Sequence, residues 1–229
     1  MILSIHQPSY WPWLGLLDKI AKSNTFILLD DVQLVKGSYQ YRNKFFCEGK
    51  PRFITIPLFL KLGINIKEVE FRNDKWREDH LNKLRNYYFK APFFKEVYSD
   101  LMVFYDKFYT KPIDLLKGSM IFSMQMLNIN VELFLSSIFN VTGTKGDMVL
   151  NLCKAVKAKK YLAGTGSYAY MHEYLPKFDG AGIEINWHAF KHPNYEQNPE
   201  YPFIEGLSCM DIFFFQGYKK SRDIFWRNI

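Results

Sequence analysis

Residues 2–31 read ILSIHQPSYWPWLGLLDKIAKSNTFILLDD, and the way they group decides the fold. The apolar run Ile2 to Ile5 stops at His6, Gln7 and Pro8. Proline has no N–H to give a sheet ladder, so this reads as a short buried strand that ends there. A loop of Tyr10, Trp11, Pro12 and Trp13 follows. From Leu14 apolar residues recur at helical spacing through Leu17, Ile20 and Ala21, which predicts a helix beginning near Pro12, where proline in the first turn is tolerated. After Ser23 and Asn24, Thr25 to Leu29 reads as a second buried strand closing on Asp30 and Asp31. Strand, loop, helix and strand within about thirty residues make a βαβ unit, hence a parallel sheet with a crossover helix.

That geometry also says where chemistry belongs. In open parallel sheets ligands bind beyond the carboxyl ends of the strands, most often at the loop after the first one. His6 and Gln7 follow the first strand, and Asp30, Asp31 and Gln33 follow the second. The amides at the helix start add a weak anion site. A lone histidine would be read as a residue that ties down a loop. The concentration of His6, Gln7, Tyr10, Trp13 and two aspartates at strand ends favours a site.

Further along, Lys36 to Lys44 is polar and ends in Arg42, Asn43 and Lys44. It reads either as a loop offering donors to a phosphate or carboxylate, or as an ordinary basic hairpin edge. Lys44 to Cys47 and Arg52 to Leu58 read as strands around a turn of Glu48, Gly49 and Lys50, with Ile64 to Phe71 as a further strand. Helices are predicted over Asp74 to Ala91, Glu96 to Tyr109 and Ile113 to Leu127, forming a helical insertion over about 74–127, with His80 a structural residue on the first helix. Val131 to Ile138 is strand-like, and Asp147 to Ala158 is helical. Lys160 to Ala163 is a short buried strand that runs into Gly164, Thr165, Gly166 and Ser167, then into a helical stretch containing Tyr168. Glycines there allow close backbone approach to a ligand, and the loop lies beside His6 if the two strands are neighbours. Ile183 to Phe190 alternates as a last strand before a proline-rich loop with His192, Tyr195 and Gln197. Ser208 caps a short helix from Met210 to Phe215, which ends at Gly217.

Composition bounds the function. At 229 residues, 48% hydrophobic and 23% charged, the chain is globular and long enough for a substantial core, read as a single domain. Aromatics at 18% exceed what a core needs, so some are expected to line a cleft or a contact surface such as a homodimer interface, unless they reflect lineage bias. A formal charge of +7 suits anionic partners. The basic residues are dispersed, and Lys154, Lys157, Lys159 and Lys160 read as a solvated helix end. No strand shows the paired aromatics and basics of an RNA-binding sheet, so nucleic acid is unsupported, with tRNA the one form kept open. Cys47, Cys153 and Cys209 are odd in number and widely spaced, which argues against a disulfide framework or structural zinc. The five histidines are scattered, so no metal is expected. Met1 runs straight into the first strand and no apolar run is long enough to span a bilayer, which leads to the expectation of a cytoplasmic protein.

The string His6-Gln7-Pro8, Tyr10, Pro12-Trp13, Gly15, Asp18-Lys19, followed by Asp30-Asp31-Val32-Gln33, Arg42-Asn43-Lys44, Tyr161 to Gly164 with Gly166 and Ser167, Tyr195-Glu196-Gln197, and Leu207-Ser208 with Asp211 and Gly217, resembles the WbqC-like protein family over almost the whole chain. That resemblance implies a role in bacterial O-antigen, capsule or other surface-glycan clusters, in making or decorating a sugar. A more distant likeness is to the nucleotidylyltransferase superfamily, although of its HxGH-type signature only Gly15 is in place. The resulting expectation is an α/β enzyme, with a Rossmann-like open parallel sheet and a mainly helical insertion. Its expected reaction is acyl or aminoacyl transfer to the amine of a nucleotide-linked amino sugar, with ATP able to activate the acyl donor as an adenylate. In that scheme His6 is a general base or phosphate donor, Asp30 or Asp31 accepts from the amine, and Arg42 and Lys44 hold phosphates. Gln7, Tyr10, Trp13, Gln33, Asn43, Gly164, Gly166, Ser167 and Gln197 line the ligand, and Tyr168 or Tyr195 stacks on a base or sugar. The competing readings are a non-catalytic accessory protein that binds a nucleotide sugar or a glycosyltransferase, and a transferase using charged tRNA.

Overall fold

A computed structural model describes residues 1–229. The opening stretch forms β1 (Ile2–His6), α1 (Leu14–Ala21) and β2 (Thr25–Leu28), as its patterning requires. Next come the hairpin strands β3 (Arg42–Cys47) and β4 (Lys50–Thr55), then α2 (Trp76–Tyr88), α3 (Phe94–Asp106) and α4 (Pro112–Met126). The last part runs through β5 (Glu132–Leu135), α5 (Lys145–Ala155), β6 (Lys160–Ala163), α6 (Tyr168–Met171), α7 (Leu175–Gly180), β7 (Glu184–Trp187) and α8 (Met210–Arg227).

Five strands make one wholly parallel sheet in the order β5-β2-β1-β6-β7. The chain builds outward from β1 through β2 to β5, then returns to the other side of β1 for β6 and β7. Strand order therefore reverses between β1 and β6, and loops leaving these two strands diverge and open a crevice. β1 and β6 are direct neighbours, with Ser4 opposite Leu162, so the His6 and Gly164 loops do emerge side by side.

Both faces of the sheet are covered, which is why its strands are apolar at nearly every position. Leu3, Ile5 and Ile27 point into a smaller core with Val149, Leu152 and Phe178. Phe26 and Leu28 point the other way, into a larger core shared by α1, the hairpin, α2 to α4 and α8. Tyr10 and Trp11 are fully buried in that larger core. His80 is a structural residue there: its ring takes the Tyr10 hydroxyl at 2.8 Å and reaches the Thr55 carbonyl at 3.0 Å.

Four elements differ from the sequence reading, one of them Val131 to Ile138, whose strand stops at Leu135 and passes into a 3₁₀ turn, Ser136–Phe139. Ile64 to Phe71 is not a strand but a single turn of 3₁₀ helix, Ile66–Glu68, held by reciprocal capping between Asn65 and Glu68. The hairpin turn has two residues rather than three, since Lys50 already pairs with Cys47. Glu48 and Gly49 take φ of 50° and 72°, the left-handed pair that matches strand twist. The last helix does not stop at Phe215; it kinks at Gly217 and resumes to Arg227. Gly217 has φ 66°, and a Cβ there would come within 2.6 Å of the Phe93 ring, so both backbone and packing require glycine.

Candidate functional site

The crevice at the β1/β6 switch point holds two adjoining cavities. The larger, about 350 Å³, is lined by Ile5, His6 and Gln7 from the end of β1, Leu29, Tyr161, Gly164, Gly166 and Ser167 from β6 and its loop, Tyr170 of α6, Val149 and Lys19. The smaller, about 270 Å³, shares His6, Lys19, Gly164 and Gly166 and adds Trp13, Gly15, Thr165, His188 and Phe190. No carboxylate lines either cavity.

His6 stands where the two meet. Its Nδ1 is 2.7 Å from the Gln7 carbonyl oxygen. Only an N–H can make that bond, so Nδ1 carries the hydrogen and Nε2 of the neutral ring keeps its lone pair. Enclosure by the cleft walls, and next the Lys19 ammonium, push the His6 pKa down against the opposing Gln7 bond. One side of the ring remains open to solvent, which moderates the first of these effects. The ring is therefore neutral at physiological pH.

Lys19 reaches the same corner from α1, whose residues Leu14 to Ile20 are all buried. Lys19 is 3% exposed, and its ammonium donates to the Ile5 carbonyl at 2.9 Å. Burial lowers its pKa to about 8. The adjacent Asp18, fully buried, faces elsewhere: Oδ2 takes Nε2 of His188 at 2.5 Å and the Lys22 ammonium at 2.9 Å. Asp18 thus fixes the tautomer and orientation of His188, while the His188 backbone N–H donates to the Ala163 carbonyl at 2.8 Å and holds the residue against the end of β6. Trp13 forms a wall by lying over Gly15, where a Cβ would come within 2.3 Å of its ring, and by meeting Phe190 edge to face at 5.3 Å.

The structure thus brings together His6, Gln7, Trp13, Gly164, Gly166 and Ser167 from the expected set. The others lie outside these cavities. The Asp30 carboxylate accepts from the Ser137 N–H at 2.9 Å and hydroxyl at 2.7 Å, joining the end of β2 to the end of β5, and Asp31 meets the Ser136 hydroxyl. Gln33 is exposed and bridges to Asn65. Arg42 donates to the Gly37 carbonyl with its guanidinium 4.2 Å over Phe53, and Lys44 lies near the Tyr39 and Phe53 rings. The Asn43 amide donates to the carbonyls of Tyr10 at 3.1 Å and Trp11 at 2.7 Å, and so shapes the loop after β1 from behind. Tyr168 packs on His172 and Trp187 outside the cleft, and Tyr170 enters it instead. Tyr195 and Gln197 both donate to Asp211 at 2.7 Å, far along the chain's other core.

Lys19, His188 and Tyr170 are polar lining residues outside the set expected from the sequence, as are Tyr161 and Thr165. For Lys19 the signal was present: Asp18 and Lys19 are the polar pair in an otherwise apolar eight-residue helix, which forces at least one of them inward.

An open parallel α/β sheet with a carboxylate-free crevice at its topological switch point is the architecture of the Rossmann-like class. The WbqC-like protein family matches residues 7–223, and the chain belongs to it. It is also similar to an uncharacterised Mycobacterium tuberculosis protein, Rv1507c, with 26% identity over 217 residues that cover 93% of this chain and 92% of the relative. No solved structure matches the chain significantly. No helix is long and apolar enough to cross a membrane.

Proposed function

We propose that this protein is a transferase of surface-glycan biosynthesis that acylates or aminoacylates the amine of a nucleotide-linked amino sugar. Membership of the WbqC-like family supports the pathway. The observation that carries the chemistry is His6: a neutral imidazole in the switch-point cleft, its Nδ1–H committed to the Gln7 carbonyl and its Nε2 without a protein partner. Such a nitrogen is in the form a general base needs.

In the reaction the sugar amine attacks the carbonyl carbon of an acyl adenylate. The N–C bond forms, the bond to the phosphate oxygen breaks with its electron pair leaving on the nucleotide, and the amine proton passes to His6 Nε2. The adenylate forms when the donor carboxylate attacks the α-phosphorus of ATP and pyrophosphate leaves with the electron pair of the broken P–O bond. Gln7, held by the Gln40 amide at 2.7 Å, and Ser167 offer polar contacts to the sugar, and Trp13 with Phe190 offers an apolar wall.

The test is incubation of the protein with nucleotide-linked amino sugars, ATP and amino or other carboxylic acids, with mass spectrometry for an acylated sugar and thermal shift for binding. The expected outcome is an acylated product, cut by about 100-fold or more in His6→Ala, the usual worth of a general base. A thermal shift without product under any donor would assign the cleft to a nucleotide-sugar-binding accessory protein instead.

A further inference from the structure

The Lys19 ammonium is a buried charge whose counter-charge is missing from the protein. Taking an ammonium out of water costs several kcal/mol, and proteins ordinarily offset this with a carboxylate partner. Here the sole acceptor is the neutral Ile5 carbonyl, at 2.9 Å. Asp18, next in sequence, spends Oδ2 on His188 and Lys22, its Oδ1 is buried without a hydrogen bond, and no ion pair joins it to Lys19. An ammonium has three hydrogens. One is used and two are left, and the nitrogen stands at the corner between β1 and β6, with Lys19 lining both cavities.

That corner is also kept empty. Gly164 has φ −76° and ψ 148°, which any residue can adopt, so its backbone does not call for glycine. A Cβ there would stand 3.7 Å from the Lys19 nitrogen, in the space directly before the ammonium. Past it, Gly166 has open room around it. Arg42, Asn43 and Lys44, expected to hold phosphates, line neither cavity.

We propose that Lys19 is the oxyanion-recognising group of the protein, receiving a phosphate of the ligand in the corner that Gly164 leaves open. The inference rests on the proposed function only in placing a nucleotide-linked ligand in this cleft, and is independent of acyl transfer. With its pKa lowered to about 8, Lys19 remains largely protonated at neutral pH, and a bound phosphate strengthens that protonation.

The experiment measures thermal shift and calorimetric binding of inorganic pyrophosphate and of UDP at pH 7 and constant ionic strength, on the wild type, Lys19→Met and Gly164→Ala. Wild type is expected to be stabilised by both probes. Lys19→Met is expected to lose at least tenfold in affinity while the free protein melts at the same or a higher temperature, because a buried ammonium has been replaced by an apolar chain of similar length. Gly164→Ala, tolerated by the backbone, should also weaken binding by placing a methyl where the oxyanion sits. It keeps the test open if Lys19→Met fails to fold. Equal pyrophosphate responses in wild type and both variants, or no response in wild type, would overturn the subsite, and a merely structural Lys19 would show a lowered melting temperature with an unchanged anion response. Pyrophosphate and UDP binding through Lys19 with no acylated product would leave the subsite standing and sink the transferase reading. Acylated product formed with unchanged KM in Lys19→Met would do the reverse.

Discussion

Lys19 at the cleft and Asp211 in the first turn of the last helix are about equally inaccessible, 3% and 0% exposed, and they spend their hydrogen bonds in opposite ways. Asp211 is saturated. Its Oδ2 accepts from the Tyr195 hydroxyl and the Gln197 amide, both at 2.7 Å, and its Oδ1 from the Tyr88 hydroxyl at 3.3 Å. Gln197 in turn donates to and accepts from Ile204, which ties the proline-rich loop down onto α8. Lys19 has one neutral partner and an open cavity before it. Burial by itself does not separate a functional polar group from a structural one; unspent hydrogen-bonding capacity facing a cavity does.

The sharpest break in this contrast is Asp211→Ala, which leaves three buried donors without an acceptor. It is expected to cost about 3 kcal/mol or more in denaturant unfolding. A cost near zero would mean that the Tyr195 and Gln197 network does not hold the loop.

The pH dependence sharpens it further, because the two residues shift in opposite senses for the same first cause, burial. Burial pushes Asp211 up to about 7 from an ordinary 3.8, partly opposed by its three donors. Between those values the folded state binds the extra proton, so this contribution to stability falls as pH rises from about 4 to about 7. Lys19 goes down to about 8 from 10.5, so between those values the unfolded state binds more protons and its contribution to stability grows as pH rises. Each slope is bounded by about 1.4 kcal/mol per pH unit for one proton. Urea titrations across pH should show the wild-type minus Asp211→Asn difference shrinking through the first window, and the wild-type minus Lys19→Met difference growing through the second. Slopes of the other sign would refute the assigned directions.

The smallest effect belongs to His6→Ala. The ring is exposed on one side and bonds only to the neighbouring carbonyl, so its removal should change stability by less than about 0.5 kcal/mol. A larger loss would make His6 a scaffold residue rather than a cleft residue.

Much of the sheet was legible because its strands are buried on both faces and end at unmistakable breakers. Ile2 to Ile5 stops at Gln7 and Pro8, and Lys160 to Ala163 stops at Gly164. The alternating apolar residues of Ile64 to Phe71 satisfy a strand pattern, yet the Asn65 and Glu68 side chains supply local caps that favour a turn. A glycine at the expected helix end suits a kink as well as a stop, and only the Phe93 ring packed against Gly217 decides between them.

The sequence by itself determined the parallel α/β class, the neighbourhood of His6 and the glycine loop, and the family, because periodicity and chain breakers are local properties. Tertiary structure alone decided which polar residues are free to act. Asp30, Asn43 and Tyr195 proved to be committed to partners brought in by the fold, whereas Lys19 on a buried helix was left with a cavity where a counter-charge would stand. The physical reason is that a side chain's availability depends on how many of its hydrogen bonds are met by residues distant in sequence, a quantity no local pattern contains.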